Sequence, residues 1–316
     1  MTIRIGMIGL GLISRYYAKA ITKSPQIALT AVCDLDERKR AAYARPAMFL
    51  TEDFHELLRR EDVDGVVINL PNDLHFAVCK AALLAGKHVC CEKPLTLDVA
   101  EARELVELAR QRNRTLLTAF HRRYNANVLS AKAAVGRRRI SRIIARYLEK
   151  IEDHCGQDQW YLDPQRSGGG CIADNGPNAF DALSLFLNQL AVNQCHIEQV
   201  RKGVDMRAHV LLTDDRGAEA EVFLDWAYDG ERKDLELHLE DGAVLHADML
   251  AGFEGFKSSL DHEYEGVLAD FSQRIAAGGS FGEEGLAAVE LVARAYEMAS
   301  AGSVEAGVEG VQHERA

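Results

Sequence analysis

Long apolar runs are missing from this sequence. No window of its 316 residues approaches the roughly 18 consecutive apolar side chains that a membrane-spanning helix needs. The N-terminal stretch MTIRIGMIGL enters an alternating apolar run at once, without the basic segment and the long apolar segment of a secretory signal. We therefore expect a cytoplasmic protein with no membrane partner.

An excess of basic residues is missing as well. The chain carries 37 Lys and Arg against 48 Asp and Glu, a formal net charge of -11, and its pI is about 5.5. Binding to the nucleic-acid backbone depends on clustered Lys and Arg, so this balance argues against a nucleic-acid partner. The composition is otherwise that of a globular protein, and the length favours two domains.

The cysteines show neither the number nor the spacing of a structural framework. There are seven, an odd number; they form no CxxC pair, and most lie inside apolar runs. This pattern predicts reduced thiols in the core and argues against a disulfide framework or a zinc site. We therefore expect no metal centre.

The first 120 residues alternate strand and helix patterns. Helical spacing predicts helices at 12–23, 75–85 and 98–112, and β-rich apolar runs predict strands at 3–8, 27–33, 63–70, 88–91 and 114–120. The third helix opens with a capping box, in which Glu101 follows Asp98 by three residues. Repeated β-α-β units predict an α/β domain with a doubly wound parallel sheet in residues 1–120.

Residues 121–316 follow a different pattern. A helix at 126–135, a strand at 140–150 and a helix at 177–190 precede a strand-rich region from about 204 to 249, with turn signals between its runs. Helices near 263–277 and 283–301 complete the chain. Strands joined by tight turns predict an antiparallel sheet with helices on one face, a second domain of the α+β class.

A glycine turn lies between the first strand and the first helix. Residues 9–14, GLGLIS, match the dinucleotide-binding fingerprint except for Ser14 at the third glycine position. The glycines allow close approach of a pyrophosphate, and the helix N-terminus supplies N–H donors. Asp34 ends the second strand, where an acid accepts hydrogen bonds from the adenosine ribose. A 2'-phosphate would meet Asp34 as a like charge, which favours NAD, although Arg38 keeps NADP an alternative.

A lysine follows the strand predicted at 88–91. Because ligands of open α/β sheets bind beyond the carboxyl ends of the strands, Lys93 is expected to project toward the nicotinamide end of a dinucleotide. Loss of solvation and the positive charge of the oxidised ring would favour the neutral amine, which can accept a proton. The alternative is that Glu92 and Lys93 form a solvated ion pair at a strand end.

Three consecutive glycines open a candidate substrate segment. Residues 168–181 read GGGCIADNGPNAFD, and such glycines indicate close backbone approach or positive φ. The segment offers Asp174, Asn178 and Asp181 but no side chain that titrates near neutrality. Asp181 would share a helix face with Asn178, and we expect it to support the fold or the site.

Taken together, these motifs resemble one known family. The order and spacing of its motifs are similar to those of the glucose-fructose oxidoreductase and inositol dehydrogenase family, abbreviated Gfo/Idh/MocA. The motifs that carry the resemblance are GLGLIS, VVINLPNDLH, AGKHVCCEKPL and FHRRYN, followed by WYLDP, SGGG and the Asp, Asn and Asp after the glycines. The resemblance spans nearly the whole chain. It implies an N-terminal NAD(P)-binding Rossmann domain and a C-terminal α+β domain whose large open, mostly antiparallel sheet serves substrate binding and oligomerisation.

The same resemblance implies an activity. Members transfer a hydride between nicotinamide and a hydroxyl or ketone carbon of a sugar, cyclitol, amino sugar or derivative. Lys93 matches the catalytic lysine of the family, and Asp174 matches the catalytic acid after the glycine run. Many members carry a histidine as proton carrier four residues after that acid, where this chain has Asn178. An amide cannot exchange a proton at neutral pH, so Asn178 is expected to orient a hydroxyl and Lys93 to act as acid/base.

The remaining candidates follow from position and from the resemblance. The expected cofactor-binding residues are Gly9, Gly11, Leu12, Ile13, Asp34, Arg38, Asn69, Pro71, Asn72, His75, Glu92 and Lys93. The expected substrate-binding residues are Asn178, Tyr161, Trp160, Asp153, Tyr264 and Arg123. Tyr124, His121 and His154 are further polar groups in these segments, although such side chains are more often structural. Segment 151–167, which also holds Gln157, has a composition that suits hydroxyl-rich or amino-bearing ligands.

Several points stay open. Residues 121–316 are expected to form a homodimer or homotetramer through the sheet, and within this range the final helix can pack back on the first domain. Two other functions are compatible with the resemblance: a glycosidase that oxidises its substrate transiently with bound NAD, and a non-catalytic dinucleotide-sensing protein. Retention of Lys93 and Asp174 favours the oxidoreductase, since fold alone does not decide function.

Overall fold

The computed structural model describes residues 2–155, 159–255 and 257–311. The chain forms two compact units. The first unit comprises the described residues up to Asn125 together with those of Phe253–Val289, and the second comprises Ala126–Gly252 with the described residues from Glu290 onward. The single division expected at residue 120 therefore does not account for Phe253–Val289, which return to the first unit.

The N-terminal part of the first unit is a six-stranded parallel sheet in the order β3-β2-β1-β4-β5-β6. Its strands are β1 Ile3–Ile8, β2 Ile27–Cys33, β3 Phe49–Thr51, β4 Gly65–Ile68, β5 His88–Glu92 and β6 Leu116–Ala119. Its helices are α1 Ser14–Lys23, α2 Glu37–Ala41, α3 Phe54–Leu58, α4 His75–Leu84 and α5 Val99–Arg112. The strand order reverses between β1 and β4, which is the arrangement of a doubly wound sheet.

The second unit is built on a six-stranded mixed sheet in the order β12-β11-β7-β10-β9-β8. Its strands are β7 Ile140–Lys150, β8 Ala191–Arg201, β9 Val204–Thr213, β10 Glu219–Asp225, β11 Ala227–Leu239 and β12 Val244–Asp248. Its helices are α6 Ala126–Val135, α7 Ile151–Cys155, α8 Pro164–Ser167, α9 Cys171–Asp174 and α10 Gly176–Ser184. All its pairings are antiparallel except that of β7 with β10.

Two helices follow the second sheet, α11 Leu260–Ala277 and α12 Glu283–Val311. The apolar face of α11, with Tyr264, Val267, Leu268 and Phe271, joins the core that α1 and β1 also line. Near the start of α12, the Gly285 backbone approaches Thr118 and Leu95 so closely that a Cβ would lie 2.2 Å from Thr118 Oγ1. These contacts place Phe253–Val289 in the first unit.

The apolar patterns predicted most elements. The strands at 3–8, 27–33 and 140–150 and the helix at 126–135 are confirmed at both ends, and the Asp98 carboxylate caps α5 by accepting from the backbone N–H of Ala100 and Glu101. The helix expected at 177–190 is shorter, because α10 ends at Ser184, whereas α12 continues to Val311. In the described part of the chain no helix has the length and apolar character needed to cross a bilayer.

Candidate active site

The glycine turn of the first unit is shaped by a close backbone approach. Gly9 has φ +88°, and a Cβ there would lie 2.5 Å from the carbonyl oxygen of Asn69. At Gly11 a Cβ would meet no described atom within 4 Å, so open space borders the turn. The N-cap of α1 is Ile13, whose side chain makes no capping hydrogen bond. No side chain thus covers the N-terminus of α1, and the positive end of a helix dipole at a glycine turn attracts an anion such as a pyrophosphate.

Asp34 is held beside this turn. Its Oδ2 accepts a hydrogen bond from the backbone N–H of Leu10 at 2.7 Å, and its Oδ1 accepts from that of Asp36 at 2.9 Å. Lys39 Nζ lies 4.0 Å from Oδ2. The two backbone bonds orient the carboxylate at the carboxyl end of β2, which is the place a ribose-binding acid needs. Arg38 is exposed on α2.

The loop after β4 completes this edge of the sheet. Asn69 Nδ2 donates to the carbonyl of Gly9 at 3.4 Å, whereas its buried Oδ1 accepts no hydrogen bond from any described residue. A buried acceptor without a donor is costly unless a ligand supplies one. The open space at Gly11, the carboxylate of Asp34 and this amide oxygen together fit a dinucleotide across the β1–β4 switch point.

His75 ties two loops of the same edge together. Its Nδ1 lies 2.7 Å from the carbonyl oxygen of Pro94, and its Nε2 lies 2.9 Å from that of Leu70. The ring is fully buried, and burial lowers the pKa of His75. Pro71 is the N-cap of a short 3-10 helix, Asn72–Leu74, and Asn72 is buried. The imidazole therefore fixes the loop after β4 against the loop that follows Lys93.

Lys93 follows β5 directly, next to the strand that leads to Asn69. The preceding Glu92 is buried, and its Oε1 accepts hydrogen bonds from Tyr17 at 2.9 Å and Tyr264 at 3.0 Å. Burial raises the pKa of Glu92 to about 7. Gly9, Asp34, Asn69 and Lys93 thus all lie at the carboxyl edge of one parallel sheet.

The segment FHRRYN is anchored to α11 by a buried ion cluster. Glu263 accepts from Arg122 Nη1 at 2.9 Å and Asn125 Nδ2 at 2.6 Å, and its other oxygen lies 2.5 Å from His121 Nδ1. Burial alone would raise the pKa of Glu263, but these partners, Arg122 first, lower it to about 2. Burial lowers the pKa of His121 to about 4, so this histidine is neutral near pH 7.

The other predicted residues of the first unit lie around this cluster. The ring of Tyr264 stacks on His121 with centroids 5.4 Å apart. Arg123 Nη1 lies 4.0 Å from Glu284, and Tyr124 donates to Asp270 at 2.6 Å. Tyr264, expected to bind substrate, is 1% exposed with its hydroxyl on Glu92.

In the second unit, the glycine run is explained by a buried carboxylate. A Cβ at Gly170 would lie 1.9 Å from the carbonyl oxygen of Asp205, and one at Gly169, where φ is +147°, would lie 2.1 Å from Tyr296 Oη. Asp205 Oδ1 accepts from Gly170 N and Tyr296 Oη, both at 2.7 Å, and Oδ2 accepts from Ile172 N at 2.8 Å. A carboxylate from β9 thus caps α9, whose own N-cap residue has no side chain.

Asp174 ends α9, and Asn178 lies in the first half of α10. Asp174, Asn178 and Asp181 are all buried, at 6%, 4% and 4% exposure. Asn178 Oδ1 is a buried acceptor to which no described group donates. Between the two helices, Asn175 Nδ2 donates to Glu149 Oε1 at 3.0 Å. The Asp205 cap holds the start of α9 and this bond holds the junction of α9 with α10, and the amide oxygen of Asn178 fits a substrate hydroxyl.

The described parts of segment 151–167 follow β7 along the chain. Asp153 is exposed on α7, while Trp160 and Tyr161 are half-buried with their rings 3.9 Å apart. Gln157 lies outside the described residues.

A charged cluster begins at the end of β7. His154, Glu149 and Glu231 offer possible ligand atoms within 4.8 Å of one another. Lys233 Nζ lies 2.6 Å from Glu149 and 2.5 Å from Glu231, so an ammonium already balances these acids.

Sequence reasoning missed three residues that organise the site. Asp205 is one acid in a predicted strand region, and Tyr17 and Tyr296 lie on helices without any motif. Their roles depend on contacts between segments that are distant in sequence: 35 residues separate Asp205 from Gly170, and 75 separate Tyr17 from Glu92. No local pattern could have identified them.

Solved structures share this architecture. The crystal structure of GenD2 from gentamicin A biosynthesis in complex with NAD has a TM-score of 0.86 and 21% identity, covering 95% of each chain. Scyllo-inositol dehydrogenase from Lactobacillus casei, with bound NAD(H) and scyllo-inositol, has a TM-score of 0.80 and 20% identity, covering 94% of this chain and 97% of that one. At these identities the likeness concerns the fold.

Sequence relatives are similar over part of the chain. The uncharacterized oxidoreductase YdgJ of Escherichia coli is 33% identical over 189 residues, 58% of this chain and 54% of that protein. The 1,5-anhydro-D-fructose reductase of Ensifer adhaerens is 32% identical over 188 residues, which are 58% of this chain and 56% of that protein. Inositol 2-dehydrogenase of Salmonella typhimurium is 33% identical over 138 residues, which are 42% of this chain and 41% of that protein. The matches thus span about half the length of these relatives, or less.

Two family models match consecutive parts of the chain. Residues 3–120 match the model of the oxidoreductase family GFO_IDH_MocA, described as an NAD-binding Rossmann fold. Residues 129–245 match the model of the C-terminal domain of the same family. Together they cover well over half of the chain, and they agree with the parallel sheet, the glycine turn and the mixed sheet described above. The chain belongs to the Gfo/Idh/MocA family of oxidoreductases.

Proposed function

We propose that this protein is an NAD-dependent oxidoreductase that interconverts a hydroxyl and a ketone on a polyhydroxylated ring, with Lys93 as the acid/base group. The observation that carries the proposal is the gathering of Gly9, Asp34, Asn69 and Lys93 at the carboxyl edge of one parallel sheet. That edge is where sheets of this class bind dinucleotides and carry out chemistry.

The first unit supplies the binding groups for NAD. Backbone N–H groups at the start of α1 bind the pyrophosphate, and the carboxylate of Asp34 accepts from the adenosine ribose hydroxyls. Asn69 Oδ1, which lacks a donor among the described residues, accepts a hydrogen bond from the bound cofactor. The negative charge of Asp34 disfavours a 2'-phosphate, so we propose NAD rather than NADP.

The chemical step divides between cofactor and protein. Nicotinamide accepts or supplies the hydride when it is bound. Lys93 Nζ takes the proton from the substrate hydroxyl during oxidation and returns it to the carbonyl oxygen during reduction. Asp174 and Asn178 bind and orient substrate hydroxyls, and the amide of Asn178 takes no part in proton transfer because it cannot titrate.

The substrate class rests on the relatives. The names of the related proteins include an inositol 2-dehydrogenase and a 1,5-anhydro-D-fructose reductase, and one related structure contains scyllo-inositol. The buried acid and amide of the α9–α10 pair, together with the half-buried rings of Trp160 and Tyr161, suit a small hydroxyl-rich ligand. We therefore propose a cyclitol, a sugar or an amino sugar.

A substrate screen tests the proposal. Purified protein is incubated with NAD and with cyclitols, sugars, amino sugars and sugar phosphates in turn, and formation of NADH is followed by absorbance. We expect NADH with at least one polyol, and we expect Lys93→Ala to lose turnover while NAD still binds. Lys80→Ala is the matched control, since Lys80 is a half-exposed lysine paired with Glu104 on the helices of the same unit. If Lys93→Ala retains a near-normal rate, the acid/base assignment is wrong.

We also propose that copies of the chain associate through the second sheet. The face of this sheet opposite its buried core carries half-buried apolar side chains, among them Ile144, Leu148 and Phe223. Ion pairs such as Arg146 with Asp234 and Glu236 lie across the same face. Apolar side chains framed by charged pairs are typical of a surface that another subunit covers.

A further inference from the structure

Exposed leucines are unevenly distributed over the first unit. Among its described residues, the large apolar side chains that are at least 40% exposed are Leu12, Leu35, Leu74 and Leu84. The first three lie in the connections that follow β1, β2 and β4, at the carboxyl edge of the parallel sheet. Leu84 is the last residue of α4 and belongs to the connection that leads to the start of β5. Exposed apolar surface thus collects at the edge that carries the glycine turn and Asp34.

Leu35 is the most exposed of these leucines. It is 85% exposed, and within residues 34–42, DLDERKRAA, it is the one large apolar residue. A single exposed leucine is common on protein surfaces, so its exposure alone assigns it no role. What sets Leu35 apart is its place directly after Asp34, on a turn whose backbone is fixed.

Hydrogen bonds hold the backbone on both sides of Leu35. Asp34 Oδ1 accepts from the backbone N–H of Asp36 at 2.9 Å. Arg40 Nη1 donates to the carbonyl oxygens of Asp34, at 2.6 Å, and Leu35, at 3.1 Å. The other carboxylate oxygen, Oδ2, accepts from the backbone N–H of Leu10 in the glycine turn at 2.7 Å. The turn therefore presents the leucine side chain to solvent in one backbone conformation, and a ligand that covers it loses little affinity to ordering of the chain.

The covalent structure of the nucleotide keeps its base close to any acid that binds its ribose. Adenine is bonded to the ribose carbon adjacent to the one that bears the 2'-hydroxyl. A carboxylate that accepts hydrogen bonds from the ribose hydroxyls therefore has the base within one sugar ring of it. The base has two broad apolar faces, and covering such a face with an aliphatic side chain removes apolar surface from water. Leu35 follows Asp34 directly and offers that surface.

We infer that Leu35 is a cofactor-binding residue whose side chain packs against the adenine of bound NAD. The inference rests on the proposed function, in which the carboxylate of Asp34 accepts from the adenosine ribose. Leu35 takes no part in hydride or proton transfer, because adenine and nicotinamide are opposite ends of the dinucleotide. Its contribution is affinity for the adenosine half of the cofactor, through apolar surface that the free protein leaves in water.

An aliphatic contact recognises the face of a base and not its edge. A leucine side chain carries no hydrogen-bond donor or acceptor, so it does not distinguish the polar groups on the rim of a purine. Replacing the amino group of adenine by the oxygen of hypoxanthine therefore leaves this contact intact. The contribution of Leu35 is expected to be equal for the two bases.

Calorimetric titration of the cofactor-free protein measures this contribution without turnover. The probes are NAD, ADP-ribose, which lacks nicotinamide, and nicotinamide hypoxanthine dinucleotide. We expect Leu35→Ala to raise the Kd of each probe about fivefold, because the burial of part of a leucine side chain is lost. Leu35→Ile keeps the apolar surface, and its Kd is expected to lie within about twofold of the wild-type value. An unchanged Kd in Leu35→Ala, or a loss confined to the probes that carry adenine, overturns the inference.

Leu84→Ala is the matched control. It removes the same kind of side chain, 47% exposed, from the same unit and leaves the connection after β2 untouched. We expect its Kd for all three probes to equal that of the wild type. The melting temperature of the cofactor-free protein is expected to stay near the wild-type value in both alanine variants, because both leucines are exposed. Equal weakening of NAD binding by Leu84→Ala would defeat the assignment to Leu35.

Nuclear magnetic resonance tests the contact itself. In protein with isotope-labelled leucine methyl groups, the Leu35 signals are assigned by their loss in Leu35→Ala. We expect nuclear Overhauser effects between these methyl groups and the carbon-bound protons of adenine in bound NAD. Absence of these effects at saturating NAD, or effects to the nicotinamide protons instead, overturns the inference and leaves the oxidoreductase proposal standing. If the wild type binds neither NAD nor ADP-ribose, the proposed function fails and the inference fails with it.

Discussion

The carboxylate of Asp34 is the residue on which cofactor choice depends. Its two oxygens are already oriented by the backbone N–H groups of Leu10 and Asp36. Asp34→Asn keeps an oxygen for Leu10 but loses the charge that binds ribose hydroxyls and repels a 2'-phosphate. We expect the KM for NAD to rise about tenfold and the preference for NAD over NADP to fall by at least as much, since hydrogen bonds to charged groups are worth about 1.5–3 kcal/mol.

Asp36→Asn is the control for this substitution. Asp36 caps α2 by accepting from Arg38 N, so its loss affects a local helix end rather than the ribose. Steady-state kinetics with both cofactors checks the prediction. If the ratio of kcat/KM for NAD to that for NADP is unchanged in Asp34→Asn, the carboxylate does not bind the ribose hydroxyls.

Glu92 also makes a prediction about stability. Its pKa is raised in the folded protein from the ordinary 4.5 to about 7, so the folded state binds the proton more tightly than the unfolded chain. The stability that this proton contributes is complete below about pH 4.5 and is lost as the pH rises through 7. Glu92→Gln removes the dependence, and we expect its free energy of unfolding to exceed that of the wild type by up to about 3 kcal/mol at pH 8.

Urea unfolding at pH 5 and pH 8 measures this difference. Near pH 5 the two proteins are expected to unfold at similar urea concentrations, because the glutamine and the protonated glutamate are both neutral. If the glutamine variant is less stable than the wild type at pH 8, ionising Glu92 in the folded protein does not lower the free energy of unfolding.

Some of these residues could be predicted from sequence and others could not. The role of Gly9 follows from a local fingerprint, because the turn and the two elements it joins are consecutive in the chain. The partners of Glu92 do not follow, because Tyr264 lies 172 residues later. The sequence predicted Glu92 as a cofactor ligand, whereas in the structure its carboxylate is engaged by two tyrosines.

At the scale of elements, the stability of the α9–α10 pair depends on how closely Gly170, the residue before α9, approaches β9. Gly170→Ala would place a Cβ 1.9 Å from a backbone oxygen of Asp205, which no rotamer change can relieve. We expect the free energy of unfolding of the second unit to fall by about 3 kcal/mol, together with loss of turnover. Gly176→Ala is the control, because its nearest neighbour is the Phe180 ring at 3.3 Å.

Thermal unfolding of both variants, beside NAD titration, checks this prediction. The glycine turn and Asp34 belong to the first unit, so NAD affinity is expected to stay near that of the wild type in both. Equal melting temperatures for Gly170→Ala and Gly176→Ala would contradict the close approach.

Element prediction succeeded where burial imposes a pattern. β1 and β2 are apolar runs of a buried parallel sheet, and their ends were predicted to the residue. The strand β8 was missed because it is an edge strand with mostly exposed polar side chains, AVNQCHIEQVR, and no apolar alternation. The strand β3, at the edge of the parallel sheet, was missed because a run of three residues is too short to show a strand pattern.

At the scale of the whole molecule, the proposed association has a direct test. Ile144 and Leu148 lie on the same face of β7 and are half-buried in the isolated chain. Replacing both by glutamate places two charges where a second subunit would exclude water. We expect the wild type to sediment as a dimer or tetramer and the double variant as a monomer. Val244→Glu is the control, because Val244 is a 44% exposed apolar residue on the edge strand β12.

The return of Phe253–Val289 to the first unit was beyond prediction from periodicity. The helical spacing of α11 identifies an apolar face but not its partner. Only the assembled core, in which Tyr264, Val267 and Phe271 meet α1 and β1, decides which unit receives it.

Transfer of deuterium to the nicotinamide tests the central claim most directly. The protein is incubated with NAD and a panel of cyclitols and sugars deuterated at their carbinol carbons, and the reduced cofactor is analysed by mass spectrometry. We predict label from at least one polyol with the wild type and with Lys80→Ala, and none with Lys93→Ala although NAD still binds. Unlabelled cofactor throughout, or equal labelling with Lys93→Ala, would contradict it.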